Sequence, residues 1–503
     1  MKKMAALLLS FSLMLTGCAG KVPAAEEGIV ISLSDAQITV DGAAVSNDPS
    51  QAVYTARDII YYESGRDFTY GEGTEDDAHS EEEAQAHTVV HITQPGRYVL
   101  SGQLSKGQIA VDLGKDAEDD PNAVVTLVLN GADITCTVAP AVIFYNVYEC
   151  GDKDVSSPGI DTTYAGANVE IADGTVNHIS GAYVAKIYKP ESVELNKDGT
   201  KVKDAKKLHK YDAAFYSKMS MNVDGDTGVL NITAANEGLD TELHLTINGG
   251  NIHIVSGNDG INTNEDGVSV TAINGGTVTI RVDGATGEGD GIDSNGYLVI
   301  NGGTVIAQAC SFSMDAGIDS DMGIHINGGT VIATGNMLDR ISESAQNFAV
   351  FQLAGSQKGG MVELKNAAQE TVMQQITNDF SYLILSSGDL TAGEYTLWVN
   401  GVQMQGAGGQ QMGGFGGGMG FEGMTPPEGM EIPEGMERPE IPEGAEHPEG
   451  MTPPEGMESP GEMPQKPENM DRPDNPGFGK PPMGDGADTF SMVNGGNYFQ
   501  IMG

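Results

Sequence analysis

The chain has 503 residues, 71 of them acidic and 26 basic, for a net charge of −45 at neutral pH. That excess leaves no basic stripe to offset phosphates, which excludes nucleic acid as a partner, and it requires bridging cations for contact with an anionic polysaccharide. Four cysteines exclude a disulfide-stapled scaffold, so a large core or a metal must hold the chain together.

The N-terminus reads as an export signal. Lys2 and Lys3 precede an apolar stretch from Met4 to Leu15, too short to span a bilayer but suited to a signal-peptide core. It ends in Leu15-Thr16-Gly17-Cys18, which is similar to a bacterial lipobox. Residues 1–17 are therefore expected to be removed and Cys18 to carry the lipid. Residues 18–28 would tether the folded part to the extracellular side of the cell membrane, at the cell surface. Of the remaining thiols, Cys136, Cys150 and Cys310, the first two are placed so that pairing is open.

Strand patterns follow. Alternation between Ile29 and Val45, and again at His87–Ile92, Tyr98–Leu100 and Val124–Leu129, predicts half-buried strands, with turns at Pro95-Gly96 and Asn130-Gly131. The acidic stretch from Gly71 to Ala86 predicts a loop or short helix, and the lysine-rich stretch from Lys201 to Lys210 a surface insertion.

Internal repeats dominate the middle. Ile-Asn-Gly-Gly begins at Ile247, Ile273, Ile300 and Ile326, in steps of 26, 27 and 26 residues. Five and seven residues after each Ile stand Ile252 and Ile254, Val278 and Ile280, Val305 and Ala307, Val331 and Ala333, a period of two that marks strands with one buried face. A repeat of this length, with Gly turns and no helical period, predicts an all-β chain coiled as a right-handed parallel β-helix over residues 29–405, one repeat to a coil. From 406 to 487 the composition turns to Gly, Pro, Glu and Met, with Pro-Glu-Gly-Met at Pro427, Pro433 and Pro454, and a disordered low-complexity segment is expected. Residues 488–503 carry strand-like Phe490–Val493 and Tyr498–Ile501; a closing strand and a disordered end both remain open.

The candidate chemistry lies in a second repeated element, aligned on Gly238, Gly260, Gly291 and Gly317. Two residues later the column reads Asp240, Asn262, Asp293 and Asp319, and four residues later Glu242, Asn264, Asn295 and Asp321. Just before the glycine stand Glu237, Asp259, Asp290 and Ala316, with Asp315 beside the last. Stacked coils about 4.8 Å apart would set these oxygens in ladders. Two carboxylates at that distance repel by roughly 3–4 kcal/mol at an effective dielectric near 20, so the stack calls for Asn dilution, raised pKa values or a bound cation. Hard oxygen donors favour calcium, and the scarcity of His and the lack of thiols here argue against zinc. The metal candidates are Asp240, Asp259, Asn262, Asn264, Asp266, Asp290, Asp293, Asp315, Asp319 and Asp321; no catalytic residue is assigned. The run from Asn262 to Gly267 is faintly like an EF-hand loop, but Ile273 stands where that loop needs its Glu. The column Asn248, Asn274, Asn301 and Asn327 is expected to serve turns rather than to form an amide ladder.

His91-Ile-Thr-Gln-Pro-Gly-Arg-Tyr-Val-Leu-Ser-Gly102, Leu127-Val-Leu-Asn-Gly-Ala-Asp-Ile134, Tyr216-Ser-Lys218 and the Ile-Asn-Gly-Gly coils together resemble one family over residues 30 to 400. It is the bacterial carbohydrate-binding β-helix family whose founding member is a clostridial cell-surface protein that binds cellulose and pectin-type acidic sugars. The resemblance implies a pectate-lyase-like fold, bound calcium, a polysaccharide partner and no established catalysis. The insertions at 71–86 and 187–210 and the Pro-Glu-Met tail depart from it. The first expectation is thus a non-catalytic, calcium-containing carbohydrate-binding lipoprotein, with Tyr297, Phe312 and Trp398 as aromatic candidates. The alternatives are a calcium-dependent polysaccharide lyase with Arg281 or Arg340 as base, and an adhesive surface protein without a glycan ligand.

Overall fold

A computed structural model describes residues 28–151, 153, 157–406 and 488–502. The export signal, Cys18, most of the tether and the low-complexity segment from 407 lie outside the described residues. Among these residues regular structure is almost wholly strand, with one short α-helix, Glu81–Gln85, and two 3-10 turns. The chain is all-β.

Successive strands lie in register with the strand one repeat later, and they do so in three stacks. In the first, Met221–Gly225, Leu245–Ile247, Val270–Ile273, Tyr297–Ile300 and Gly323–Ile326 pair in parallel, each with the next. In the second, Val229–Ala234, Asn251–Ser256, Thr277–Val282, Thr304–Gln308 and Thr330–Gly335 do the same. The third runs through Thr88–Ile92, Gly107–Asp112, Val142–Asn146, Ala213–Ser217, Glu237–Thr241, Ile261–Thr263 and Ile292–Ser294. Earlier strands extend the first two stacks. Val125–Cys136 runs on through the turn expected at Asn130-Gly131 and pairs with both Ala167–Ile171 and Val176–Gly181.

The repeat explains the stacking. Ile247, Ile273, Ile300 and Ile326 are fully buried, as are Ile252, Val278 and Val305. Each column belongs to one continuous hydrophobic cluster, because registered strands put equivalent side chains above one another. The Gly-Gly pair makes the bend between the first and second stacks. Its second member takes positive φ, +77° at Gly276 and +81° at Gly329. A Cβ on its first member would strike the rung below, 2.6 Å from the Asn248 carbonyl at Gly275.

The asparagines ahead of these glycines form the amide ladder that turn chemistry alone had not required. Nδ2 of Asn274, Asn301 and Asn327 donates to Oδ1 of the preceding asparagine, each at 2.8 Å. Asn248 continues the chain to the Asp224 carboxylate. Regular spacing holds each amide at hydrogen-bonding distance, so the turn residue and the ladder are the same residue.

The acidic insertion carries the Glu81–Gln85 helix, opened by a capping box between Ser80 and Glu83. The lysine-rich insertion is two small hairpins, Val184–Tyr188 with Lys207–Tyr211 and Glu194–Leu195 with Val202–Asp204. The two insertions meet, since Glu72 donates its backbone N–H to the Lys186 carbonyl at 2.9 Å. Beyond the repeats, an antiparallel module with its own core around Phe351, Leu364, Phe380 and Leu397 follows the last rung. Phe490–Met492 and Gly496–Met502 are strands of that module, the latter parallel to Phe348–Gln357. Cys136, Cys150 and Cys310 are free thiols.

Candidate functional site

The third stack positions the candidate acids. Its register sets Tyr216, Asp240, Asn262 and Asp293 side by side, and a bridge between Ile292 and Ile318 carries the row to Asp319. The glycine two residues earlier is where this sheet presses on the second stack: a Cβ on Gly260 would lie 2.1 Å from the Ile280 side chain. Glycine is thus required for packing, and the acid or amide of each rung directly follows a core aliphatic, Leu239, Ile261 or Ile292, so strand alternation turns it away from the core.

The carboxylates gather in two groups. In the first, Asp212, Glu237 and Asp240 bring oxygens within 4.8 Å of one another, all three buried. Asn264 Nδ2 donates to Asp240 Oδ1 at 2.6 Å, and Asn262 Nδ2 to Asn264 Oδ1 at 3.1 Å and Glu237 Oε1 at 3.3 Å. Three oxygens nevertheless meet no hydrogen-bond donor: Glu237 Oε2, Asp240 Oδ2 and Asn262 Oδ1. Lys210 pairs with Asp212 at 2.6 Å at one side, and Lys207 with Glu242 at 2.8 Å. Burial drives the Glu237 and Asp240 carboxyls well above the ordinary range, and the neighbouring carboxylates add to it.

In the second group, oxygens of Asp290, Asp293 and Asp319 lie within 4.8 Å of one another. Asp259 joins them by accepting the Asp290 backbone N–H at 2.6 Å, and Asp315 accepts that of Gly289 at 2.7 Å. Burial, reinforced by the other acids, pushes Asp259 and Asp293 up to about 7, Asp290 to about 9 and Asp319 to about 6. Asp321 is raised by burial and then by Asp266. Asp266 itself stands at the rim, accepting from Asn295 Nδ2 at 3.0 Å.

The structure therefore divides the ten candidates: Asp240, Asn262 and Asn264 serve the first group, and Asp259, Asp290, Asp293 and Asp319 the second, with Asp315, Asp321 and Asp266 around it. Three further acids belong here. Asp212 lies one residue before the strand that pairs with Glu237–Thr241, in a rung without the Gly-x-Asp signature. Glu237 stands in the column ahead of the glycine. Asp339, past the last repeat, raises the Asp319 carboxyl and keeps a buried oxygen without a donor.

Chemically, both groups are all-oxygen donor sets; the first keeps three buried oxygens without a donor, and Asp339 beside the second keeps one. Burying such oxygens without donors costs about 1–3 kcal/mol each, more when charged. A hard cation of calcium type satisfies oxygens of this kind, and the donor set fits it. Arg281 lies elsewhere, on the Thr277–Val282 strand of the second stack, and is exposed. Of the expected aromatics, Trp398 is held by the Lys365 ammonium, 4.7 Å from its ring centroid, and Tyr297 packs edge-on against His325. Phe312 is exposed.

Stacked parallel rungs with an oxygen-lined edge define an all-β protein whose outward sheet face carries its polar chemistry. The family model for carbohydrate-binding domain-containing proteins matches residues 86–368, more than half of the chain, and the chain belongs to that family. A carbohydrate-binding domain-containing protein of Acetivibrio thermocellus is 30% identical over 166 residues, which is 33% of this chain and 44% of the relative. The chain thus spans less than half the length of that relative. A solved structure, the polysaccharide lyase-like protein from C. thermocellum in its gadolinium derivative, aligns at 20% identity and a TM-score of 0.33, covering 63% of this chain and 93% of that one.

Proposed function

We propose that this chain is a non-catalytic, calcium-containing lipoprotein displayed at the cell surface, where it holds extracellular polysaccharide on a right-handed parallel β-helix. Membership of the carbohydrate-binding family supports the ligand class. The observation that carries the calcium reading is the pair of carboxylate groups, with buried oxygens of Glu237, Asp240 and Asn262 that no protein donor reaches. The helix reading rests on three stacks of parallel strands that recur with each repeat. The surface reading rests on the Lys2-Lys3 segment, the apolar stretch and Cys18.

In this reading calcium supplies a local positive charge on an acidic surface. Asp290, Asp293 and Asp319 would hold one ion, and Asp212, Glu237 and Asp240 another. The first group keeps Lys210 and Lys207 at its margin, so its floor stays partly neutralised without metal. The second has no basic residue among the groups that shift its acids, so it depends on protons or a cation.

The test is retention of the purified chain on insoluble cellulose and on pectin-type polysaccharide, with calcium and with excess chelator. The reading expects retention on at least one polymer in calcium, weakened by chelator, and no ultraviolet-absorbing unsaturated product. Release of such a product would establish a lyase instead, and the absence of retention on every polymer would leave an adhesive role without a glycan.

A further inference from the structure

The 187–210 insertion is one of the features in which this chain departs from the resembled family, and it runs directly into the first carboxylate group. Its last strand, Lys207–Tyr211, pairs antiparallel with Val184–Tyr188. The chain then passes through Asp212 into Ala213–Ser217 of the third stack. Lys210 Nζ lies 2.6 Å from Asp212 Oδ2, and Lys207 Nζ lies 2.8 and 3.1 Å from the two oxygens of Glu242. Tyr216 donates its hydroxyl to the same Glu242 carboxylate. The insertion thus delivers two ammonium groups to one cluster of acids.

The body of the insertion is held elsewhere. Ile187 forms a bridge with Gly71, Tyr188 donates its backbone N–H to the Tyr70 carbonyl at 2.9 Å, and Lys186 pairs with Glu72 at 2.9 Å. A lysine ammonium rides on a flexible four-carbon stem. Lys207 and Lys210 can therefore leave the acids while the strand that carries them stays in place.

The ammonium groups satisfy one flank of the cluster only. Glu237 Oε2, Asp240 Oδ2 and Asn262 Oδ1 are buried and meet no donor, so oxygens for an ion remain. Asp212 belongs both to the Lys210 pair and to the triad with Glu237 and Asp240. An ion taken by that triad and an ammonium on Asp212 are neighbours of like charge, and they oppose each other. The second group offers the contrast, because the charges that act on Asp290, Asp293 and Asp319 are all carboxylates. Calcium affinity rises with the uncompensated charge of its ligands.

We propose that Lys210, backed by Lys207, is a built-in competitor of calcium at the first carboxylate group. Calcium gains the Asp212 carboxylate as the Lys210 ammonium leaves it, so this group fills only after the second one. The insertion thereby turns one of two similar acid clusters into a weaker site that responds to calcium concentration. This deepens the calcium reading and rests on it.

The experiment is calorimetric calcium titration of the full chain at pH 8, with acetic anhydride labelling of lysines read by mass spectrometry in the same samples. Wild type is expected to show two classes of sites, the tighter one weakened by Asp293→Asn. Lys210→Met, which keeps much of the side chain and removes its charge, should tighten the weaker class roughly tenfold and leave the tighter class as it was. In wild type, acetylation of Lys210 should rise a few-fold on saturation with calcium, while that of Lys197, in an exposed turn of the insertion, stays the same. Unchanged or weaker binding in Lys210→Met overturns the proposal. So does Lys210 labelling that calcium leaves unaltered, a result that needs no variant to fold. Binding confined in both wild type and Lys210→Met to the class that Asp293→Asn weakens also overturns it, while the calcium reading stands. A chain that binds no calcium in any variant overturns both.

Discussion

Asp293 and Asp319 occupy equivalent places one repeat apart, and their carboxylate oxygens lie within 4.8 Å of each other and of Asp290. Nothing in the local sequence of either residue asks for the other. The adjacency follows from the register of Ile292 with Ile318, and that register follows from the columns of buried aliphatic residues. The core thus builds a site its own residues never touch.

Stability of the metal-free chain should fall with rising pH. Asp259, Asp290, Asp293 and Asp319 titrate in the folded state at about 7, 9, 7 and 6, against roughly 4 in an unfolded chain. Each binds its proton more tightly when folded, so its contribution is full below the unfolded value and is lost as pH rises through 6 to 9. Thermal unfolding in chelator should show a lower Tm at pH 9 than at pH 5.5. Added calcium should raise Tm most at the alkaline end, because binding requires the deprotonated forms.

Asp293→Asn should weaken calcium binding at least about tenfold, roughly 1.4 kcal/mol, because it removes charge from the middle of the second group. Asp266→Asn, at the rim, should change it less than about threefold. Calorimetric titration of both variants gives the comparison.

The repeat core sets the sensitivity of the fold. Ile280→Ala removes a side chain that is fully buried between Ile254 and Ala307 and should cost about 2–5 kcal/mol in urea unfolding. Gly276→Ala should also destabilise, by about 1–3 kcal/mol or more. Its φ is +77°, and the new Cβ would sit 2.4 Å from the Gly250 carbonyl oxygen.

The amide ladder predicts coupling. Asn274→Ala removes two side-chain hydrogen bonds, to Asn248 and from Asn301, and should cost about 1–2 kcal/mol although the site is exposed. The double variant Asn274→Ala with Asn301→Ala should cost less than the sum, because the bond between the two is lost only once.

Much of this was legible before the structure. The period of 26 residues fixes which residues stack, so the aliphatic columns were readable, and seven of the ten candidate residues, five aspartates and two asparagines, fall in the two carboxylate groups. What escaped was set by contacts between rungs that lack the repeat. Asp212 sits in a rung with no Gly-x-Asp, and Asp339 lies beyond the last repeat. The amide ladder escaped for another reason: an asparagine before two glycines is fully explained by its own turn, and only the rung spacing shows the second use.

The most direct test is equilibrium calcium binding to the purified chain at pH 8, wild type against the pair Asp293→Asn and Asp319→Asn, with polysaccharide retention read in the same samples. The account predicts saturable calcium binding by wild type, loss of one class of sites in the double variant, and weaker retention of polysaccharide. Wild type that takes up no calcium while remaining folded, with its acids holding their protons at pH 8, would contradict it.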